Sequence, residues 1–151
     1  MWLLDTNVIS ELRKPRPDTG LVSWLIIQPV QNLWTSDVCL AEIRAGIELQ
    51  ENFVQKSLLQ SWYNEVVEPQ FEGKKLSACD AVLEIWLRLI KQLQAMRKNA
   101  PSVDLLVAAT CLNAKFTAVT RDTTPFIAAG VPTFRAFSGL IESKVNLPNH
   151  Q

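Results

Sequence analysis

Histidine is almost missing from this chain of 151 residues: the only one, His150, stands next to the last position. A histidine-based nucleophilic triad or a histidine-ligated zinc site therefore has nothing to draw on inside the apolar segments that would form a core. Cysteine is scarce as well. Cys39, Cys79 and Cys111 are odd in number, far apart and form no C-x-x-C, which argues against a disulfide framework or a thiolate zinc site. They read as buried small hydrophobes in a reducing compartment. Glycine occurs five times, in neither G-x-x-x-x-G-K-[ST] nor G-x-G-x-x-G, so the familiar phosphate cradles are absent. Excess charge of either sign is also lacking, with 15 Lys and Arg against 15 Asp and Glu. Any nucleic-acid contact must then come from a local patch. No apolar run reaches membrane-spanning length, and Met1 leads directly into a predicted strand without a signal peptide. The expected setting is cytoplasmic, away from membranes.

What remains is a chain rich in core material. Hydrophobic residues make up 48% and charged residues 20%, in a length that suits one domain. Four strands are predicted, at Trp2–Leu4, Asn32–Thr35, Phe116–Val119 and Thr133–Phe137. Helices are expected between them. A short one spans Thr6 to Leu12, and a second follows Asp18. A third runs from Asp37 to about Gln50 after a Ser36 cap, and a fourth from Glu51 to Glu68, with Phe53, Val54, Leu58, Leu59 and Trp62 for packing. A Ser77/Asp80 capping box opens a long helix to about Asn99. Ser102 caps another over Val103 to Lys115, and Pro125 to Ala129 forms a turn closed by Gly130. Short strands alternating with helices argue α/β with a mainly parallel sheet.

Against this apolar background the acids stand out. Asp5 ends the first strand in LLDTN, Glu42 interrupts CLAEIRAG, Asp104 opens VDLLVAAT, and Asp122 follows a strand as Asp5 does. Each alone has an ordinary explanation. Asp5 can close an Asx turn, Asp104 can favour a helix N-terminus, Glu42 can pair with a distant arginine, and Asp122 can sit in a turn. Burying an ionised carboxylate without compensation costs several kcal/mol or more, so several acids in such surroundings are most economically explained by a shared divalent cation. Oxygen ligands suit Mg²⁺ or Mn²⁺, and such an ion near strand ends is a setting for phosphodiester hydrolysis. Thr6 and Asn7 are candidates for orienting Asp5 or a phosphate, ordinary capping being the alternative. Glu11, one turn beyond Asn7, either reaches the site or is solvated, the second being preferred. The loop Arg13-Lys14-Pro15-Arg16-Pro17 is either a solvated turn or, through Arg13, Lys14 and Arg16, a phosphate contact.

At these residues a resemblance becomes specific. LLDTNVISEL at Leu3–Leu12, AEIRAGI at Ala41–Ile47, SVDLLVAAT at Ser102–Thr110 and TRD at Thr120–Asp122 resemble, in order, the motifs of the PIN-domain family, and more closely its VapC-type (FitB-like) toxins. The resemblance runs from Met1 to about Phe137. It implies a three-layer α/β/α nuclease domain over residues 1–137, followed by a C-terminal extension, 138–151, with no assigned role. It also implies a Mg²⁺- or Mn²⁺-dependent ribonuclease acting as the toxin of a toxin–antitoxin pair, commonly a homodimer. A cognate antitoxin would insert a C-terminal segment into the acidic site, and operator DNA would be bound only through the antitoxin complex. By motif, Asp5, Glu42 and Asp104 match the core metal-site acids. Relatives often read T-R-N-x-x-D-F where this chain has Thr120-Arg121-Asp122-Thr123-Thr124-Pro125-Phe126. The later acid is replaced by Pro125, and Asp122 is the candidate for its role.

Two other readings compete. A degenerate scaffold of this type would bind RNA or a protein without catalysis. A phosphatase would use Asp5 as nucleophile, but Asn7 stands where a D-x-D motif needs its second acid.

Overall fold

Trp2–Leu4 forms strand β1, and its alternating side chains divide the molecule into two cores. Leu3 packs with Val82, Leu89, Leu105, Ala108 and Phe126 on one face. Leu4 packs with Val8, Ile9, Leu21, Leu40 and Ile43 on the other. In chain order the computed structural model, which describes residues 1–138, continues with α1 (Thr6–Glu11), α2 (Thr19–Ile26), β2 (Leu33–Ser36), α3 (Asp37–Glu48) and α4 (Phe53–Trp62). Then come a π turn (Tyr63–Val67), α5 (Glu68–Gln70), β3 (Lys75–Leu76), α6 (Asp80–Ala95), α7 (Ser102–Ala114), β4 (Thr117–Val119), α8 (Thr124–Ala128) and β5 (Thr133–Phe134).

The sheet runs β3-β2-β1-β4-β5 with every pair parallel. The chain winds outward from β1 in both directions, so the C-terminal ends of β1, β2 and β4 open side by side. That is the crevice where doubly wound folds bind ligands. Helices on both faces complete the α/β/α arrangement expected from the sequence. The small residues Ala108 and Ala109 of α7 and Ala118 of β4, all fully buried, let helix and sheet approach closely.

Several local expectations differ from the structure. Lys75 falls in a fifth strand instead of a loop, and Ser77 stays in the link after it. α6 starts at Asp80 with Cys79 as its cap residue and no side-chain cap. That helix stops at Ala95, because Arg97 takes φ 53° and Lys98 N–H returns to the Leu93 carbonyl in a Schellman-type closure. α7 is preceded by Pro101 and has Ser102 as its first residue. The single helix expected over Glu51–Glu68 begins at Phe53 under an Asn52 cap and widens into the π turn just before Pro69, which has no N–H to give. Phe53, Val54 and Leu58 do not pack into the core and are 81%, 63% and 60% exposed; only Leu59 and Trp62 lean on it. Cys39 and Cys111 are buried as expected, but Cys79 is exposed. Among the described residues no helix is long and apolar enough to cross a membrane.

Ser138, assigned from sequence to the extension, docks on the domain. Its N–H and Oγ both donate to Asp18 Oδ1, at 2.7 and 2.8 Å, and Oγ accepts the Gly20 N–H at 2.6 Å. Residues 139–151 lie outside the described residues. A Cβ at Gly20 would meet Ser138 N at 2.7 Å and the Ala136 carbonyl at 2.9 Å, whereas one at Gly46 on α3 meets nothing within 4 Å. Gly20→Ala should therefore destabilise the fold by about 1–3 kcal/mol. Gly46→Ala should stabilise it by about 0.5–1 kcal/mol. Urea unfolding of the two variants checks both signs.

Candidate metal centre

The site begins with the carboxylate at the end of β1. Asp5 is 6% exposed and serves as N-cap of α1, its Oδ1 accepting the Thr6 N–H at 2.8 Å. Its Oδ2 accepts from Thr120 Oγ1 at 2.8 Å and from Asn7 Nδ2 at 3.1 Å. The Cys39 thiol lies 3.8 Å from Oδ1. Burial raises the Asp5 carboxyl above its ordinary range despite the Thr120 and Thr6 hydrogen bonds, and Glu42 adds to the rise.

Glu42, half-buried on α3, turns its carboxylate to α1, where Thr6 Oγ1 donates to Oε2 at 2.6 Å. Ligand atoms of Asp5, Cys39 and Glu42 all lie within 4.8 Å of one another. Asp104, half-buried in the first turn of α7, stays outside that set but feels it. Its pKa is pushed up to about 6, first by burial and then by the charges of Asp5, Glu42 and Asp122. Asp122 is exposed, and its Oδ1 accepts the Thr124 N–H at 3.1 Å in an Asx-type turn. Pro125 is buried at the start of α8.

The donor set fits a hard divalent cation. Two buried or half-buried carboxylates converge, and burial, with their charges adding to it, raises the pKa of a third. Cys39 does not add a soft ligand: burial and the neighbouring Asp5 push its thiol up to about 12, so it remains a weak S–H donor. Asp5 and Glu42 bring carboxylate oxygens together, Asp104 stands outside that set, and Asp122 is exposed.

The fold and much of the sequence recur in known proteins. A family model described as the PIN domain matches residues 2–131. The chain belongs to the PIN-domain family. It is 34% identical over 134 residues to Toxin FitB of Neisseria gonorrhoeae, covering 89% of this chain and 96% of that protein. It is 33% identical over 131 residues to VapC ribonuclease Y4jK of Sinorhizobium fredii, covering 87% and 94%. The crystal structure of FitAcB from Neisseria gonorrhoeae superposes with a TM-score of 0.84 at 33% identity, over 90% of this chain and 98% of that one. FitAB bound to the IR36 DNA fragment gives 0.82 at 34% identity, over 89% and 94%.

Other sequence candidates in this PIN domain have definite places. Thr6 and Asn7 are engaged by the protein itself. Thr6 links Asp5 to Glu42, while Asn7 Nδ2 also meets Thr120 Oγ1 at 3.1 Å and Oδ1 accepts the Arg121 N–H at 3.0 Å. Arg13 is exposed and lines a groove of about 210 Å³ with Thr6, Ser10, Glu42, Ile43 and Trp62. Arg16 is exposed. Lys14 pairs with Glu11 at 2.6 Å. Glu11 itself is 5% exposed, not solvated, because Lys14, Arg121 and the Asp18 N–H converge on it. The Lys14 hydrogen bond, aided by the other two, holds its carboxyl below the ordinary range against the opposing effect of burial. Sequence reasoning missed Thr120, which is fully buried and grips Asp5. Its signal was present: it directly follows Val119, the last residue of β4, as Asp5 follows Leu4, the register partner of Val119 on β1.

The like-charge cluster has a pH signature. In the absence of divalent metal, Asp104 titrates near 6 in the folded chain against 3.8 as its ordinary value. Between these limits the folded state binds the extra proton, so stability falls as pH rises from about 4 to about 6. Asp104→Asn should raise the unfolding free energy in EDTA at pH 7 and change it little at pH 4, as read by urea titration at both pH values.

Proposed function

We propose that this PIN-domain protein is a Mg²⁺- or Mn²⁺-dependent endoribonuclease that acts as the toxin of a toxin–antitoxin pair. The observation that carries this reading is the convergence of Asp5 and Glu42 beside Asp104, whose pKa is raised first by burial and then by their charges. The names of the relatives, a toxin and a VapC ribonuclease, support it. A divalent cation bound by Asp5, Glu42 and Asp104, with Asp122 as the candidate fourth acid, would supply the Lewis-acid chemistry that phosphodiester hydrolysis needs. The protein's own part is orientation. Thr120 and Asn7 fix Oδ2 of Asp5, Thr6 N–H fixes Oδ1, and the Thr6 hydroxyl fixes Glu42. Residues 1–138 contain no histidine, so none of them offers an imidazole base. Arg13, Lys14 and Arg16 supply a local basic loop for RNA in a chain of zero net charge.

The partner reading follows from the same face. The groove beside Glu42 passes Ile43, Ile47, Leu59 and Trp62, and α4, which carries the last two, also exposes Phe53, Val54 and Leu58. This suits a peptide segment with apolar side chains that ends near the acids. A cognate antitoxin is the proposed occupant, since FitAB is known as a DNA-bound structure. Operator DNA would then be reached through that complex. A homodimer in a cytoplasmic setting completes the proposal.

Cleavage of a panel of structured RNAs by purified, antitoxin-free protein tests the function. Cuts should appear with Mg²⁺ or Mn²⁺, vanish in EDTA, and fall at least about a hundredfold in Asp5→Asn, the size of effect expected when a group orienting the catalytic centre is lost. Folded wild-type protein that is inert with both metals would favour the non-catalytic scaffold. A trapped aspartyl-phosphate would favour the phosphatase.

A further inference from the structure

Two cations that converge on one buried acid stand beside the acidic centre. Glu11 Oε2 accepts from Lys14 Nζ at 2.6 Å and from Arg121 Nη2 at 2.8 Å, while Oε1 accepts the Asp18 N–H at 3.0 Å. The Glu11 side chain is 6% exposed, but those of Lys14 and Arg121 are 49% and 45% exposed. The acid is thus consumed inside the protein, and the cations keep unused N–H donors facing water. One negative and two positive groups leave a local charge of +1. The guanidinium carbon also lies 4.3 Å from the centroid of the Phe137 ring, a cation–π contact.

The position of the pair is set by the metal-site scaffold. Arg121 N–H donates to Asn7 Oδ1, and the same amide donates to Asp5 Oδ2. Two hydrogen bonds through one side chain therefore join the arginine backbone to the central carboxylate. A site with four acids repels a polyanion, so a nucleic-acid strand needs a fixed cation just outside it to approach. An arginine held through Nη2 alone keeps other N–H donors for a phosphate oxygen pair, and a neighbouring ammonium adds a point charge.

We propose that Lys14 and Arg121, held by the buried Glu11, dock a phosphate of the RNA strand that flanks the scissile one. This rests on the nuclease reading above and adds to it a phosphate subsite that includes Arg121. Glu11 is a positioning residue. Arg121 and Lys14 act on binding of the strand, not on the bond that breaks.

The test separates the two layers. Binding of a short fluorescent single-stranded oligoribonucleotide is measured by anisotropy against salt concentration, in EDTA and in Ca²⁺, for wild type, Arg121→Ala, Arg121→Lys and Lys14→Ala. Cleavage kinetics in Mn²⁺ are measured alongside, together with urea unfolding of every variant. Loss of one phosphate contact to a single strand should reduce the slope of log K against log salt by about 0.7. Arg121→Ala and Lys14→Ala should weaken binding several-fold to about tenfold and raise KM more than they lower kcat, with Arg121→Lys recovering part of the loss. Variants that bind with the wild-type affinity and salt slope would overturn the subsite, as would wild type that binds no oligoribonucleotide in either condition. Should Arg121→Ala unfold, Lys14→Ala, in an exposed loop, decides alone. Absence of cleavage by wild type with intact, salt-dependent RNA binding would instead remove the nuclease reading and leave the subsite standing.

Discussion

The carboxylate of Asp5 is the constraint to which the neighbouring elements answer. It sits at the end of the central strand, 6% exposed, where an uncompensated charge is costly. Hydrogen bonds from Thr120, Asn7 and the Thr6 amide offset part of that cost, yet burial still raises its pKa. Each donor also ties Asp5 to another part of the molecule. Thr120 brings β4, Asn7 brings the Arg121 backbone, and Thr6 brings Glu42 on α3. Parallel winding makes this economical, because the strand ends that carry these residues open on the same edge.

The acidic centre works against the fold that presents it. Asp104 is held near a pKa of about 6 by burial and by three neighbouring acids, so its ionisation at neutral pH costs the folded chain more than it costs the unfolded one. Functional sites often carry such local destabilisation, which the rest of the core must support. Here the support is two hydrophobic layers that meet at β1 through the alternating Leu3 and Leu4. A divalent cation would reverse the sign of the effect: the same repulsion that weakens the metal-free fold becomes affinity for the ion.

Much of this was legible in the sequence, for identifiable reasons. Asp5, Glu42 and Asp104 stood out because each acid interrupts an apolar segment, and a charge there has few inexpensive explanations. The α/β order followed from strand–helix alternation and from the Ser36 cap, whose Oγ accepts the Cys39 N–H. What failed was set by tertiary partners. Glu11 read as solvated because its two cations come from positions 14 and 121, one in a loop and one across the fold. β3 was missed because a two-residue strand has no periodicity and exists only through its pairing with β2. The apolar residues of α4 suggested packing, but Phe53, Val54 and Leu58 face outward, since periodicity tells which residues share a face and not whether that face is covered.

The central claim is that these acids form one cation site. Its most direct test is calorimetric titration of Mn²⁺ into metal-free protein at pH 7, with thermal unfolding of the same samples. The account predicts saturable binding that is lost in Glu42→Gln. It also predicts a stabilisation that grows with free metal, about 2.7 kcal/mol at a hundred times Kd. Folded protein that takes up no Mn²⁺ and unfolds at the same temperature with and without it would contradict the account.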